Sequence, residues 1–432
     1  MSTFEPNRHD ELTRRTFISN AARWYLGVNL APMLGSSIAS AAPAPTGAKA
    51  KNVIYLYMSG GMSHLDTFDP KPKKKEVMGP VETLDTSATD VFVGSYLPKT
   101  AKVMDKVCVV NSMNSKQGAH EQGTYMMHTS YAMRGTVKHP SLGAWVLKLG
   151  GRINPDIPGY VAISASPDVT GGGFFGAKYA AAPIGSADEG LKDSRKPGNV
   201  SGKDFDRRLA LADRLNKQFH GRYENADVKA YEELYQEAIR LMNSEDLKAF
   251  NLNDEPQSAR NLYGGGRFAQ GCMLARRLVE HGVRFVEVQL GGWDTHYDNF
   301  AGVEGRCNEF DQAYSALITD LEKRGMLKDT LVVVATEFGR TPEIKTEHND
   351  GRDHHPSAFS CLLAGGGVKG GFKYGETDST GSRVKDNPVT PQDFNATIAH
   401  AMGIPHDQVI MSPSQRPFRI SDKGSPIMDV FA

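Results

Sequence analysis

Long apolar runs, an excess of one charge and paired cysteines are what this 432-residue chain lacks. No stretch reaches the roughly 18 uninterrupted apolar residues that a membrane-spanning helix needs, which argues against an integral membrane protein. Fifty Lys and Arg balance fifty Asp and Glu, so no net field draws the chain to nucleic acid or to an anionic membrane. The four cysteines, Cys108, Cys272, Cys307 and Cys361, stand far apart in apolar segments and form no CxxC pair. They read as buried free thiols, and their spacing gives disulfides no support. No internal repeat marks a solenoid.

What is present is an ordinary globular composition, 39% hydrophobic, enough for a large core in one or two domains. The first 41 residues differ. TRRTFI, Thr13 to Ile18, sets Arg14 and Arg15 ahead of a modestly apolar, alanine-rich stretch ending in Ala39-Ser40-Ala41. This resembles a twin-arginine export signal, which makes the export machinery a partner and the periplasm or cell exterior the destination. A linker over 42–51, carrying Pro43, Pro45 and Gly47, leads to a main domain over 52–432.

Short β-branched runs recur along that domain: NVIYLYM (Asn52 to Met58), VCVVNSM (Val107 to Met113), GYVAIS (Gly159 to Ser164), VRFVEVQL (Val283 to Leu290), TLVVVAT (Thr330 to Thr336) and SAFSCLLAG (Ser357 to Gly365). Most are continuously apolar, the pattern of strands covered on both faces. Helical spacing falls between them. Phe310, Ala313, Tyr314, Leu317, Ile318 and Leu321 form one stripe; Phe268, Gly271, Cys272, Ala275 and Val279 form another. A further helix opens at Thr390 with Pro391 and Asp393 behind it and closes at Gly403. The expected fold is α/β: a three-layer, doubly wound, mainly parallel sheet, with a charged helical insertion over about 188–264.

In such sheets ligands sit beyond the carboxyl ends of the strands. After NVIYLYM come Ser59, Ser63, His64, Asp66 and Asp69; after VCVVNSM come Ser115, His120, Glu121, Thr124 and His128. VRFVEVQL runs into GGWDTH with Asp294 and His296, TLVVVAT into EFGRTP with Glu337 and Arg340, and GRDHHP with Asp353, His354 and His355 stands just before SAFSCLLAG. Each group has a plain alternative, since Asp294 could cap a turn and Glu337 could pair with Arg340. Together, carboxylates and imidazoles on one rim suit a divalent cation, zinc or manganese.

SGGMSHLDTFDPKP, GGWDTHYDNF, ATEFGRTP and GRDHHPSAFSCLLAGGGVKGG resemble, in order and spacing, the secreted bacterial family catalogued as domain of unknown function 1501. That family is similar to the alkaline phosphatase and sulfatase superfamily, and the resemblance covers about Asn52 to the C-terminus. It implies a metal-dependent hydrolase of phosphate or sulfate esters, small-molecule or glycan, with one or two ions. Asp294, His296 and His354 or His355 would hold one metal. Glu337 would stand where the superfamily has the ligands of a second, with His64 and Asp66 as further candidates. Thr124, ahead of Ser115, is the implied nucleophile, and Arg340 the implied fork for anionic oxygens. Ser59 replaces the usual first-strand aspartate and Phe338 the usual histidine, and no Cys-x-Pro-x-Arg motif is present. A non-catalytic protein binding a glycan or partner on the same fold is the alternative.

Overall fold

The computed structural model describes residues 49–191, 200–220, 240–242 and 244–432. The expected export signal and most of the expected linker lie outside these residues, as does much of the 188–264 segment read as an insertion. Among the described residues no helix is long and apolar enough to cross a membrane.

Eight strands make one sheet: β1 (Asn52–Met58), β2 (Val107–Met113), β3 (Tyr160–Ile163), β4 (Ala182–Ile184), β5 (Phe285–Leu290), β6 (Thr330–Ala335), β7 (Phe359–Ala364) and β8 (Phe372–Tyr374). Their order is β8-β2-β7-β6-β1-β5-β3-β4. All pairs are parallel except those of β7, which runs antiparallel to both β2 and β6. Six strands fall on the apolar runs of the sequence. The two edge strands, β4 and β8, are three residues each and too short to leave a periodic signal; Pro183 sits in β4, where an edge needs no ladder donor on its outer side.

Strand alternation divides each central strand between two layers. Ile54, Leu56 and Met58 join the core beneath α3 (Arg267–Glu280) and α4 (Asn299–Lys323), with Leu274, Leu278, Phe310 and Leu317. Val53, Tyr55 and Tyr57 join the opposite core, with Met127 of α1 (His120–Thr129), Trp145 of α2 (Leu142–Gly150) and Phe394 and Ile398 of α5 (Pro391–Ala401). All seven residues of β1 are buried, which is why its sequence shows no polar face. The start of α5 is a capping box: Thr390 Oγ1 accepts from Asp393 N–H, and Asp393 Oδ2 accepts from Thr390 N–H at 3.1 Å.

The described parts of 188–264 include the helix Gly202–His220 and the short helix Gln257–Tyr263. Leu241, Phe250, Leu252 and Tyr263 enter the α3–α4 core, and Arg276 and Arg277 of α3 grip Glu255. All four cysteines are buried free thiols.

Candidate metal centre

The carboxyl ends of β1, β5 and β6 open onto one rim. The helix that follows β2, α1, begins at the same rim. β7 contributes from its other end: because it runs antiparallel, the residues before it reach that edge. There Gly339–Arg340 and His354–His355 form a two-residue antiparallel ribbon, with His354 opposite Arg340. The loops lie backbone to backbone. Gly60 has φ +117°, and a Cβ added there would stand 2.5 Å from Asp294 N, so only glycine lets the loop after β1 cross the one after β5.

Four side chains converge. His354 Nε2 is 2.9 Å from His296 Nε2 and 3.4 Å from Asp294 Oδ1. His296 Nε2 is 3.3 Å from Asp294 Oδ1, and His120 Nε2 is 3.2 Å from Asp294 Oδ2. One nitrogen or oxygen from each of His120, Asp294 and His354 falls within 4.8 Å of the others. The Asp294 side chain is about half exposed, at 48%, so the cluster opens to solvent on one side.

The far nitrogen of each imidazole is held by an acceptor. His120 Nδ1 lies 2.7 Å from Glu337 Oε1, His296 Nδ1 2.9 Å from Asp353 Oδ1, and His354 Nδ1 2.7 Å from the Gly118 carbonyl. Those partners assign the proton to Nδ1, leaving every Nε2 as a lone pair aimed inward. Neither Nε2 of the 2.9 Å pair then has a proton to share, and His120 Nε2, buried and 3.2 Å from Asp294 Oδ2, makes no hydrogen bond among the described residues. Lone pairs brought together in this way repel unless a cation or extra protons lie among them.

Glu337 is itself fixed. Its carboxylate is buried and accepts from Gly60 N–H at 2.8 Å and from the Tyr57 hydroxyl at 3.0 Å as well as from His120. Gly123 of α1 lies flush against it, a Cβ there meeting Glu337 Cβ at 3.0 Å. The Glu337 hydrogen bond and charge raise the His120 pKa above its ordinary value against the opposing effect of burial. Burial lowers that of His354. For Asp294, burial disfavours the charged form, but the Arg340 hydrogen bond and charge, with His120 and His296, outweigh it and hold the carboxyl at about 2.

The rim therefore brings together Asp294, His296 and His354 from the expected set, with Glu337 behind them, bonded to His120 Nδ1. It separates others. His355 faces the opposite side of its ribbon, its Nε2 2.7 Å from the Ser382 carbonyl, as alternation on a strand requires. His64 is fully buried, its Nε2 2.8 Å from the Gly381 carbonyl, and burial takes its pKa to about 3. Asp66 is spent in a buried ion pair with Arg352 at 3.0 Å. None of these three lies in the cluster.

Two further residues of the expected set are committed to partners within the protein. Arg340 is completely buried and donates to the carbonyls of Gly60, Gly61 and Arg352 and to Asp294 Oδ1 at 2.6 Å, so its fork orients a carboxylate of the protein instead of meeting an incoming anion. Thr124 is the fifth residue of α1, not its first, and its Oγ1 sits 3.0 Å from the Tyr57 hydroxyl that serves Glu337. The residue that opens the helix is His120. Its place in HEQGTYMMHT marks it as rim-borne, but nothing local distinguishes it from its neighbours as a member of the cluster.

An eight-stranded, mostly parallel sheet between helical layers, with its polar rim beyond the strand ends, is a three-layer α/β fold. In chain arrangement the protein is similar to the lipoteichoic acid synthase LtaP from Listeria monocytogenes (10% identity, 88% of this chain and 78% of that one, TM-score 0.37). It is similar also to the PsFucS1 sulfatase from Pseudoalteromonas sp. (12%, 99% and 76%, 0.36), and to alkaline phosphatase from the Antarctic bacterium TAB5 (11%, 76% and 94%, 0.33). A variant of that phosphatase carries Mg in its M3 site. No curated protein matches the sequence. Residues 50–431 match the family described as "Protein of unknown function (DUF1501)", and the chain belongs to that family.

Proposed function

We propose that the protein is an exported, metal-dependent hydrolase of phosphate or sulfate esters, whose cation is held by Asp294, His296, His354 and His120. The observation that carries this reading is the common orientation of the three imidazoles, each with Nδ1 engaged and each Nε2 turned toward Asp294. Three neutral nitrogens and one carboxylate suit zinc, and manganese next. A divalent cation bound there supplies Lewis acidity to an ester oxygen and lowers the pKa of a water molecule.

The remaining work falls to the chain itself. Glu337, Asp353 and the Gly118 carbonyl keep the imidazoles in the ligating tautomer. Arg340 keeps Asp294 ionised and aimed. The first turn of α1 begins at the cluster, and free N–H groups at a helix N-terminus favour an anion's oxygens. With the Thr124 hydroxyl tied to Tyr57 and no hydroxyl at the start of α1, water is the better nucleophile for this geometry. Export rests on Arg14 and Arg15 and their context in the sequence.

The mature protein, loaded with zinc or manganese, is assayed on aryl phosphate and aryl sulfate esters. Turnover is expected from the wild type and at least 100-fold less from the Asp294→Ala, His296→Ala double variant. Equal turnover by the two would refute the assignment.

A further inference from the structure

Behind the cluster lies a closed hydrogen-bonded ring that the proposed chemistry does not use. Arg352 Nη2 donates to Asp66 Oδ1 at 3.0 Å. Asp66 Oδ2 accepts from Asn299 Nδ2 at 2.9 Å, and Asn299 Oδ1 accepts from the Thr295 hydroxyl at 2.6 Å. The ring closes through the backbone, where Arg352 N–H donates to the Thr295 carbonyl at 3.0 Å. All four residues are buried, Arg352, Asp66 and Asn299 completely. The second face of the Arg352 fork reaches the carbonyls of Thr341 at 2.9 Å and Pro342 at 3.0 Å.

The two backbone members of the ring are placed tellingly in the chain. Thr295 lies between Asp294 and His296. Arg352 immediately precedes Asp353, the partner of His296, and stands two residues before His354. Arg340 ties the same two loops from the other side, by donating to both the Arg352 carbonyl and Asp294. A fully buried ion pair is a poor device for stability, since apolar residues of similar volume often serve as well. A planar fork held at fixed angles does supply something apolar packing does not, which is register between two loops.

We propose that Arg352, Asp66, Asn299 and Thr295 are positioning residues that set the separation of the Asp294–His296 and Asp353–His354 loops, and so the affinity and geometry of the cation site. This rests on the metal reading above. The hydroxyl of Thr295, isosteric with a valine methyl, is the gentlest place to open the ring.

The test compares Thr295→Val and Arg352→Lys with a control, Thr377→Val, in which a buried hydroxyl bonded to Asp69 outside the ring is removed. Zinc affinity is read by chelator competition, ligand geometry by the visible absorption of the Co(II)-loaded protein, and stability by thermal melting of the metal-free form. Both ring variants are expected to lose about 10- to 100-fold in affinity, the range for groups that orient metal ligands, and to alter the Co(II) spectrum. The control should keep both while melting no higher than Thr295→Val. Wild type that binds no zinc or cobalt overturns the metal reading itself. Wild type that binds, with ring variants that match it, overturns the positioning role, and so does equal loss in ring and control variants. If Arg352→Lys does not fold, Thr295→Val decides alone.

Discussion

Replacing Glu337 by Gln and by Ala separates the charge of that group from its hydrogen bonding. The buried carboxylate receives Gly60 N–H at 2.8 Å, the Tyr57 hydroxyl at 3.0 Å and His120 Nδ1–H at 2.7 Å. Glutamine is nearly isosteric. Its oxygen can still accept from Gly60 and His120, and its amide can donate toward Tyr57, whose hydroxyl rotates to receive it. Only the charge is lost, so the bond to His120 falls from charge-assisted to neutral strength, roughly a halving. About 1 kcal/mol of stability should go with it. Zinc affinity of the Gln variant should fall by about 10-fold, near the lower end for a group behind a metal ligand. Alanine instead orphans at least two buried donors at about 1–3 kcal/mol each, so a loss of roughly 2–6 kcal/mol is expected, along with most of the affinity. Chelator competition near pH 7.5 measures the binding and thermal melting of the metal-free protein measures the rest. A Gln variant with wild-type affinity would refute the argument: Glu337 would then be a buried structural acid, and His120 would not be a ligand oriented by it.

Two other outcomes follow from the same geometry. His354→Ala should reduce zinc affinity at least 100-fold while His355→Ala, on the other face of the ribbon, leaves it within about 3-fold; matching losses would mean that the ribbon does not set the ligand. Binding should strengthen as pH rises and fail first on the acid side above the ordinary range of histidine, because the raised pKa of His120 makes its proton the strongest competitor. The sign in the metal-free protein is opposite: the His120–Glu337 pair contributes stability at low pH that is lost as pH rises through the raised pKa. A pH-independent zinc affinity between 5 and 8 would count against His120 as a ligand.

Local pattern determined a great deal here. Most of the six strands that fall on apolar runs announced themselves as buried because they carry no polar face, the cap at Thr390 is written in four residues, and the acids and imidazoles stand where strands end. Those properties depend on neighbours within a few positions. Membership of the cluster does not. Residues that precede a strand belong to the far edge of an all-parallel sheet, and His354 reaches Asp294 only because β7 runs against β2 and β6. Its neighbour His355 is chemically identical and is excluded by facing the other side of a two-residue ribbon. Asp66, Arg340 and Thr124 have the residue types of ligands and reactants, yet tertiary packing commits Asp66 to Arg352, Arg340 to Asp294 and Thr124 to Tyr57. His120 enters through the start of a helix whose position depends on strand order. Strand direction and order are set by the summed packing of two cores, a long-range balance, so the tertiary structure alone chose which of many suitable side chains meet.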